Sequence, residues 1–89
     1  MVPVLVEGKK ITAYILIVTG IGEELRVKDR IREIANEYSD VASIDARPLF
    51  GEYDLIAIVE APNINVVDNI VTRIRRLEGV NRTVTLIAS

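Results

Sequence analysis

The chain carries one pattern twice, 39 positions apart: Tyr14 and Tyr53, Leu16 and Leu55, Val27 and Val66, Ile31 and Ile70, and Val41 and Val80 fall into the same register. Each copy reads as strand, helix, strand. In the first, a strand over about 11 to 18 precedes Val27, Ile31, Ile34, Ala35 and Tyr38 at helical spacing, and Val41 to Leu49 reads as strand again. In the second, a strand near 53 to 60 precedes Val67, Ile70, Val71, Ile74 and Leu77 on one helical face, and a strand near 80 to 88 follows. Pro62 with Asn63 and Asn65 supplies helix-start chemistry. Gly79 falls where a helix end wants a left-handed residue, and Gly20, Gly22 and Gly51 mark turns.

The order βαββαβ is predicted to fold as a ferredoxin-like α+β sandwich. Two split βαβ units with right-handed crossovers give an antiparallel sheet ordered 4-1-3-2 with both helices on one face. Residues 11 to 89 are read as that single domain. Residues 1 to 10 are read as an extension or short edge strand, with Val-Pro-Val-Leu-Val-Glu at 2 to 7 and Pro3 barred from a central strand.

A sheet covered on one side alternates apolar inward with polar outward, and this one departs from that rule. In the first strand Ile11, Ala13, Ile15 and Ile17 share one face while Tyr14, Leu16 and Val18 share the other; in the third, Ile56 and Ile58 oppose Leu55, Ala57 and Val59. A chain of 89 residues with two helices has nothing left to cover the second face. A continuous apolar sheet marks an interface, and self-association is the simplest cover.

Composition narrows the chemistry. The chain has no cysteine and no histidine, which removes disulfides, thiol chemistry, Cys/His zinc sites and imidazole acid–base catalysis. No catalytic residues, metal or cofactor are expected. The net charge of −2, without blocks of like charge, offers no overall attraction to a phosphate backbone or an anionic membrane. Lys9-Lys10 followed by the apolar run 11 to 18 is too short to span a bilayer and lacks a cleavage site, so it reads as a buried strand and a cytoplasmic location is the default.

The repeat breaks in an informative way. Asp54 stands where Ile15 stands in the first copy, Thr83 where Ile44 stands, and Thr85 where Ala46 stands. A carboxylate at the mouth of the run Leu55-Ile56-Ala57-Ile58-Val59 is costly unless it is paired or hydrogen-bonded. In the derived topology all three polar residues lie toward the end of the sheet that carries the Phe50-Gly51 hairpin and the Gly20-Ile21-Gly22 loop. A carboxylate suits an ammonium group, while glycine-loop amides and threonine hydroxyls suit a carboxylate, so the rim fits a zwitterion. The alternative is structural: Asp54 caps the turn or pairs with Arg82, and the threonines serve strand propensity.

The run Gly51-Glu52-Tyr53-Asp54-Leu55 and the segment Leu77-Glu78-Gly79-Val80-Asn81-Arg82-Thr83-Val84-Thr85 resemble the effector-binding domain of the Lrp/AsnC family of leucine- and asparagine-responsive regulators, over about residues 11 to 88. The resemblance implies dimers formed by facing sheets, a dimeric α/β barrel, assembly of dimers into an octamer or decamer ring, and an amino acid or similar metabolite bound between dimers. By the same resemblance Gly51 is the hairpin glycine, Leu49 and Phe50 precede it, Asp54 meets the effector's amino group, and Thr83 and Thr85 are the last-strand hydroxyls. Tyr53 is placed with them as a shaper of the pocket. Family regulators carry a helix-turn-helix domain, whereas only about ten residues precede the first strand here. A stand-alone form is expected, without direct DNA binding and with a full-length regulator as a possible partner.

Two other readings compete. The Gly20-Ile21-Gly22-Glu23-Glu24 turn resembles a phosphate loop but lacks a third glycine and places carboxylates where the anion would sit. The cluster Arg73, Arg75, Arg76 and Arg82 invites an RNA-platform reading, but that platform needs stacking aromatics on its open face and Phe50 is the only phenylalanine, so a solvated helix end is expected instead. The second functional class is a small dimeric α/β-barrel enzyme of the monooxygenase or isomerase type, for which only carboxylates, tyrosines and lysines are available as acid or base.

Overall fold

The computed structural model describes residues 10–88. Strand β1 (Ile11–Thr19) leads into α1 (Glu24–Glu37) and β2 (Ser43–Pro48); β3 (Leu55–Ala61) leads into α2 (Ile64–Arg75) and β4 (Val80–Ala88). The sheet is ordered β2-β3-β1-β4 with every pairing antiparallel, which is the 4-1-3-2 ferredoxin-like arrangement the repeat predicts. The edge strand expected over residues 2 to 7 lies outside the described residues.

The helices form where the apolar spacing places them. Val27, Ile31 and Ile34 bury one stripe of α1, and Val67, Ile70 and Ile74 bury one stripe of α2. They meet Ala13, Ile15 and Ile17 of β1 and Leu55, Ala57, Val59 and Ala61 of β3 in a single core. At the start of α2 the Asn63 side chain accepts a hydrogen bond from the Val66 amide at 3.0 Å, satisfying one of the donors a helix start leaves open.

Three boundaries shift from the periodic pattern, each for a local reason. β2 starts at Ser43 rather than Val41, because the amides of Val41 and Ala42 both still donate to the Tyr38 carbonyl at 2.9 Å as the chain leaves α1. β3 starts at Leu55 rather than residue 53, because the Asp54 carbonyl is taken by the Leu49 amide at 3.0 Å, closing the hairpin loop. Gly79 has the expected positive φ, +97°, but α2 has ended by Arg75, so it shapes the turn into β4 rather than the helix cap itself.

The open face of the sheet carries apolar rows. Tyr14 lies between Ile58 and Leu86, and Leu16 between Ile56 and Val84. Tyr14 and Leu86 are exposed at 37% and 53%, so nothing among the described residues covers this face. The β2 margin is polar instead: Arg47 Nε donates to Asp45 Oδ2 at 2.9 Å. The open face thus runs from an apolar centre and β4 edge to a charged margin at β2.

Candidate functional site

Three loops meet at one end of the sheet: the turn after β1, the β2–β3 hairpin loop and the turn before β4. The first and third are tied by the Gly20 amide, which donates to the Gly79 carbonyl at 2.9 Å. Glu23 packs into this junction. A Cβ on Gly79 would stand 3.0 Å from Val27 Cγ2 and 3.3 Å from Glu23 Cβ, at a φ of +97° that side chains rarely adopt, so glycine fits the junction without strain. Glu23 Oε1 is buried without a hydrogen bond, and its charge is answered by Arg26 Nε at 3.6 Å. A carboxylate thus fills the turn that an anion would need, which disposes of the phosphate-loop reading.

Asp54 holds the centre of the rim. Its amide donates to the Ile17 carbonyl at 2.8 Å, and its carboxylate Oδ2 accepts from the Thr19 amide at 2.8 Å and from the Thr19 hydroxyl at 3.3 Å. The cost of placing a carboxylate beside an apolar strand is met by these two donors. Arg82 does not pair with it; the guanidinium carbon instead stands 5.6 Å from the centroid of the Tyr53 ring, a cation–π distance. Among the described residues no hydrogen bond reaches the second oxygen, Oδ1, of the half-buried Asp54.

Of the other residues singled out from the sequence, Leu49, Phe50, Gly51 and Tyr53 share the hairpin loop with Asp54. Gly51 takes φ +127°, and Phe50 is fully exposed, as is Ile21 on the neighbouring turn. Thr83 and Thr85 are half-buried on β4, facing the helix side opposite Ile17 and Ile15. Thr83 therefore lies near the rim and Thr85 one pleat deeper, about 6.8 Å along the strand.

Thr19 is the residue that sequence reasoning missed. It ends the inward series Ala13, Ile15, Ile17 and is the one buried polar residue among those described. A hydroxyl at a core parity, next to a carboxylate in need of a donor, was the available signal. What concealed it is the register shift between Val18 and Thr19, which breaks the strand's pairing with β4 at that point.

Four surface clefts lie elsewhere. One of about 90 Å³ separates α1 from β2, and one of about 300 Å³ runs between the helices. Two more, of about 320 and 270 Å³, sit at the C-terminal end of α2 and beside the start of β4. None of these four is lined by Asp54. Among the described residues no group of three or more His, Cys, Asp or Glu side chains is placed to hold a metal ion, and no helix is long and apolar enough to cross a membrane.

The βαββαβ sandwich and its glycine-bounded polar rim define a ferredoxin-like ligand-binding domain. Within that class the chain belongs to the Lrp/AsnC ligand-binding domain family, whose model matches residues 12–89. It is similar in structure to FFRP-DM1, with a TM-score of 0.75 and 32% identity over 89% of this chain and 99% of that one. It is equally similar to TTHA0845 from Thermus thermophilus, with TM-score 0.75 and 32% identity over 89% and 92% of the two chains. The likeness to E. coli AsnC, TM-score 0.67 at 17% identity over 99% of this chain and 59% of that one, shows the shared fold. A sequence search among curated proteins finds no match. A regulatory, effector-binding role follows from the family.

Proposed function

We propose that the domain binds a small amino-acid-like effector at the rim built by Leu49, Phe50, Gly51, Tyr53, Asp54, Thr83 and Thr85, and that occupancy alters how dimers assemble. The observation that carries this reading is the half-used carboxylate of Asp54: Oδ2 is held by Thr19 while no hydrogen bond among the described residues reaches Oδ1. A carboxylate fixed through one oxygen is oriented in advance, and its other oxygen can accept from an ammonium group without further ordering cost.

The site is incomplete in one chain. Phe50 and Ile21 stand fully exposed beside Asp54, and none of the four clefts is lined by Asp54. A second subunit meeting this rim would cover both side chains and close the pocket. The open sheet face supplies the primary dimer contact, and rim-to-rim contacts between dimers build the higher ring. A chain working in this way acts on transcription by joining or competing with a full-length regulator.

Calorimetric titration with a panel of amino acids tests the reading. Binding of at least one member, coupled to a change in assembly mass, supports it; a panel without any binder overturns it.

A further inference from the structure

Five of the eight arginines stand within ion-pairing distance of a carboxylate: Arg26 with Glu23 and Glu78, Arg30 with Glu33, Arg32 with Asp29, Arg47 with Asp45 and Arg73 with Glu37. Among the described residues the other three, Arg75, Arg76 and Arg82, have no such partner. They are not scattered. Arg75 and Arg82 line the cleft of about 270 Å³ together with Val80, Asn81 and Thr83. Arg75 and Arg76 line the adjoining cleft of about 320 Å³ with Thr72. No carboxylate lines either one, whereas the cleft between the helices sets its arginines, Arg76 among them, against Glu33, Glu37 and Glu78, so Arg75 and Arg82 are the two arginines without a carboxylate in the clefts they line.

We propose that this corner, where α2 ends and β4 begins, is an oxyanion site that takes the phosphate or carboxylate group of a small metabolite. The lining offers that chemistry: the planar guanidinium fork of Arg75 with the Asn81 amide and the Thr83 hydroxyl as neutral donors, and Arg82 added from the opposite face of the β4 edge, where it pairs with Val18. The Tyr53 ring, 5.6 Å from the Arg82 guanidinium carbon, favours one position of this head group without using its N–H donors. The C-terminal end of α2 opposes an anion with roughly half an elementary charge, which the two guanidinium charges of Arg75 and Arg82 outweigh. The remaining surface arginines show the contrast: their charge is already answered within the chain, so an incoming anion gains less there. The site shares Thr83 with the proposed effector rim, so the oxyanion is either the carboxylate of an amino-acid-like effector or an independent phosphate; the corner's own chemistry accommodates both.

The test is an NMR titration of the full chain with inorganic phosphate, with glutarate and with chloride at matched ionic strength, following the amides of residues 81 to 83. Expected are saturable shifts with phosphate, glutarate or both, absent with chloride, and at least about tenfold weaker binding in Arg75→Gln/Arg82→Gln. Arg26→Gln/Arg30→Gln, which changes net charge equally, keeps wild-type affinity. Saturation by phosphate alone assigns a phosphate ligand, and saturation by glutarate assigns a carboxylate. Responses no larger than those to chloride overturn the proposal, as does an equal loss in the two double variants. Arg75→Gln alone serves if the double variant does not fold. An amino-acid panel without binders but a saturable phosphate response would sink the effector reading and leave this site standing.

Discussion

The Thr19 amide donates to Asp54 Oδ2 at 2.8 Å, with the Thr19 hydroxyl 3.3 Å from the same oxygen. The end of β1 and the entrance to β3 are thereby tied together just beyond the last rung of their ladder, where the Asp54 amide donates to the Ile17 carbonyl. The charge of Asp54 is made tolerable by the Thr19 amide and hydroxyl, both of which donate to one oxygen, so the residue serves the fold through that oxygen alone.

That division predicts how substitutions separate. Asp54→Asn keeps an acceptor for Thr19 and loses the charge. It should melt close to wild type while weakening an α-amino-acid effector by about 1.5–3 kcal/mol, the scale of a charged hydrogen bond. Asp54→Ala leaves the Thr19 donors without a partner and should lower stability by about 1–3 kcal/mol. Thermal melts beside calorimetry check both. A large loss of stability in Asp54→Asn with no effector bound by wild type would make Asp54 purely structural.

The 39-residue repeat makes the sheet order legible because strand alternation and helix spacing recur in both copies, and Val27, Ile31, Val67 and Ile70 are buried where that spacing puts them. It also exposes Asp54 as an interruption. Thr19 escapes because its contact with Asp54 spans 35 positions and depends on a local register shift, which periodicity does not encode. Sequence offers Arg82 as an ion-pair partner for Asp54, yet it stands over Tyr53, since charge in a sequence carries no direction. The arginine corner reads as a solvated helix end for the same reason: which arginines already have carboxylates is a fact of folded neighbours.

The open face predicts association. Leu16 lies at the centre of the apolar rows, between Ile56 and Val84, and each such side chain is worth roughly 1.5–3 kcal/mol when buried. Wild type at micromolar concentration should show no 9.9 kDa species by light scattering. Leu16→Asp places a charge where a partner's sheet would pack and should shift the mass toward the single chain. A monodisperse wild-type monomer would defeat the interface argument.

Two glycines predict different costs for one methyl group. Gly22 has φ +79° and open space where a Cβ would stand, so Gly22→Ala bears only backbone strain of about 1–2 kcal/mol. Gly79 has φ +97° and would drive its new Cβ to 3.0 Å from Val27 Cγ2. Gly79→Ala should therefore melt lower than Gly22→Ala by several degrees, since about 1 kcal/mol shifts a domain of this size by roughly 4–8 °C. Equal melting points would show that the close approach at Gly79 relaxes freely.

The last prediction concerns the ion pair that joins the two helices. Arg73 Nη1 lies 2.8 Å from Glu37 Oε1, linking the end of α1 to the last turn of α2. This hydrogen bond, with the guanidinium's charge, holds the Glu37 carboxyl below its ordinary value, while Glu37 and Tyr38 raise the Arg73 guanidinium further. A carboxyl with a folded pKa below its unfolded one contributes stability above the unfolded value, and that contribution is lost as pH falls through the folded value. Both side chains are largely exposed, so the contribution is small and screened by salt. Wild type should therefore melt slightly above Glu37→Gln at neutral pH and low salt, and the difference should close as the solution is acidified through and below the ordinary carboxylate range. Raising the salt at neutral pH should close it as well. A difference that persists in acid, or grows there, would mean that Glu37 acts through packing rather than through its charge.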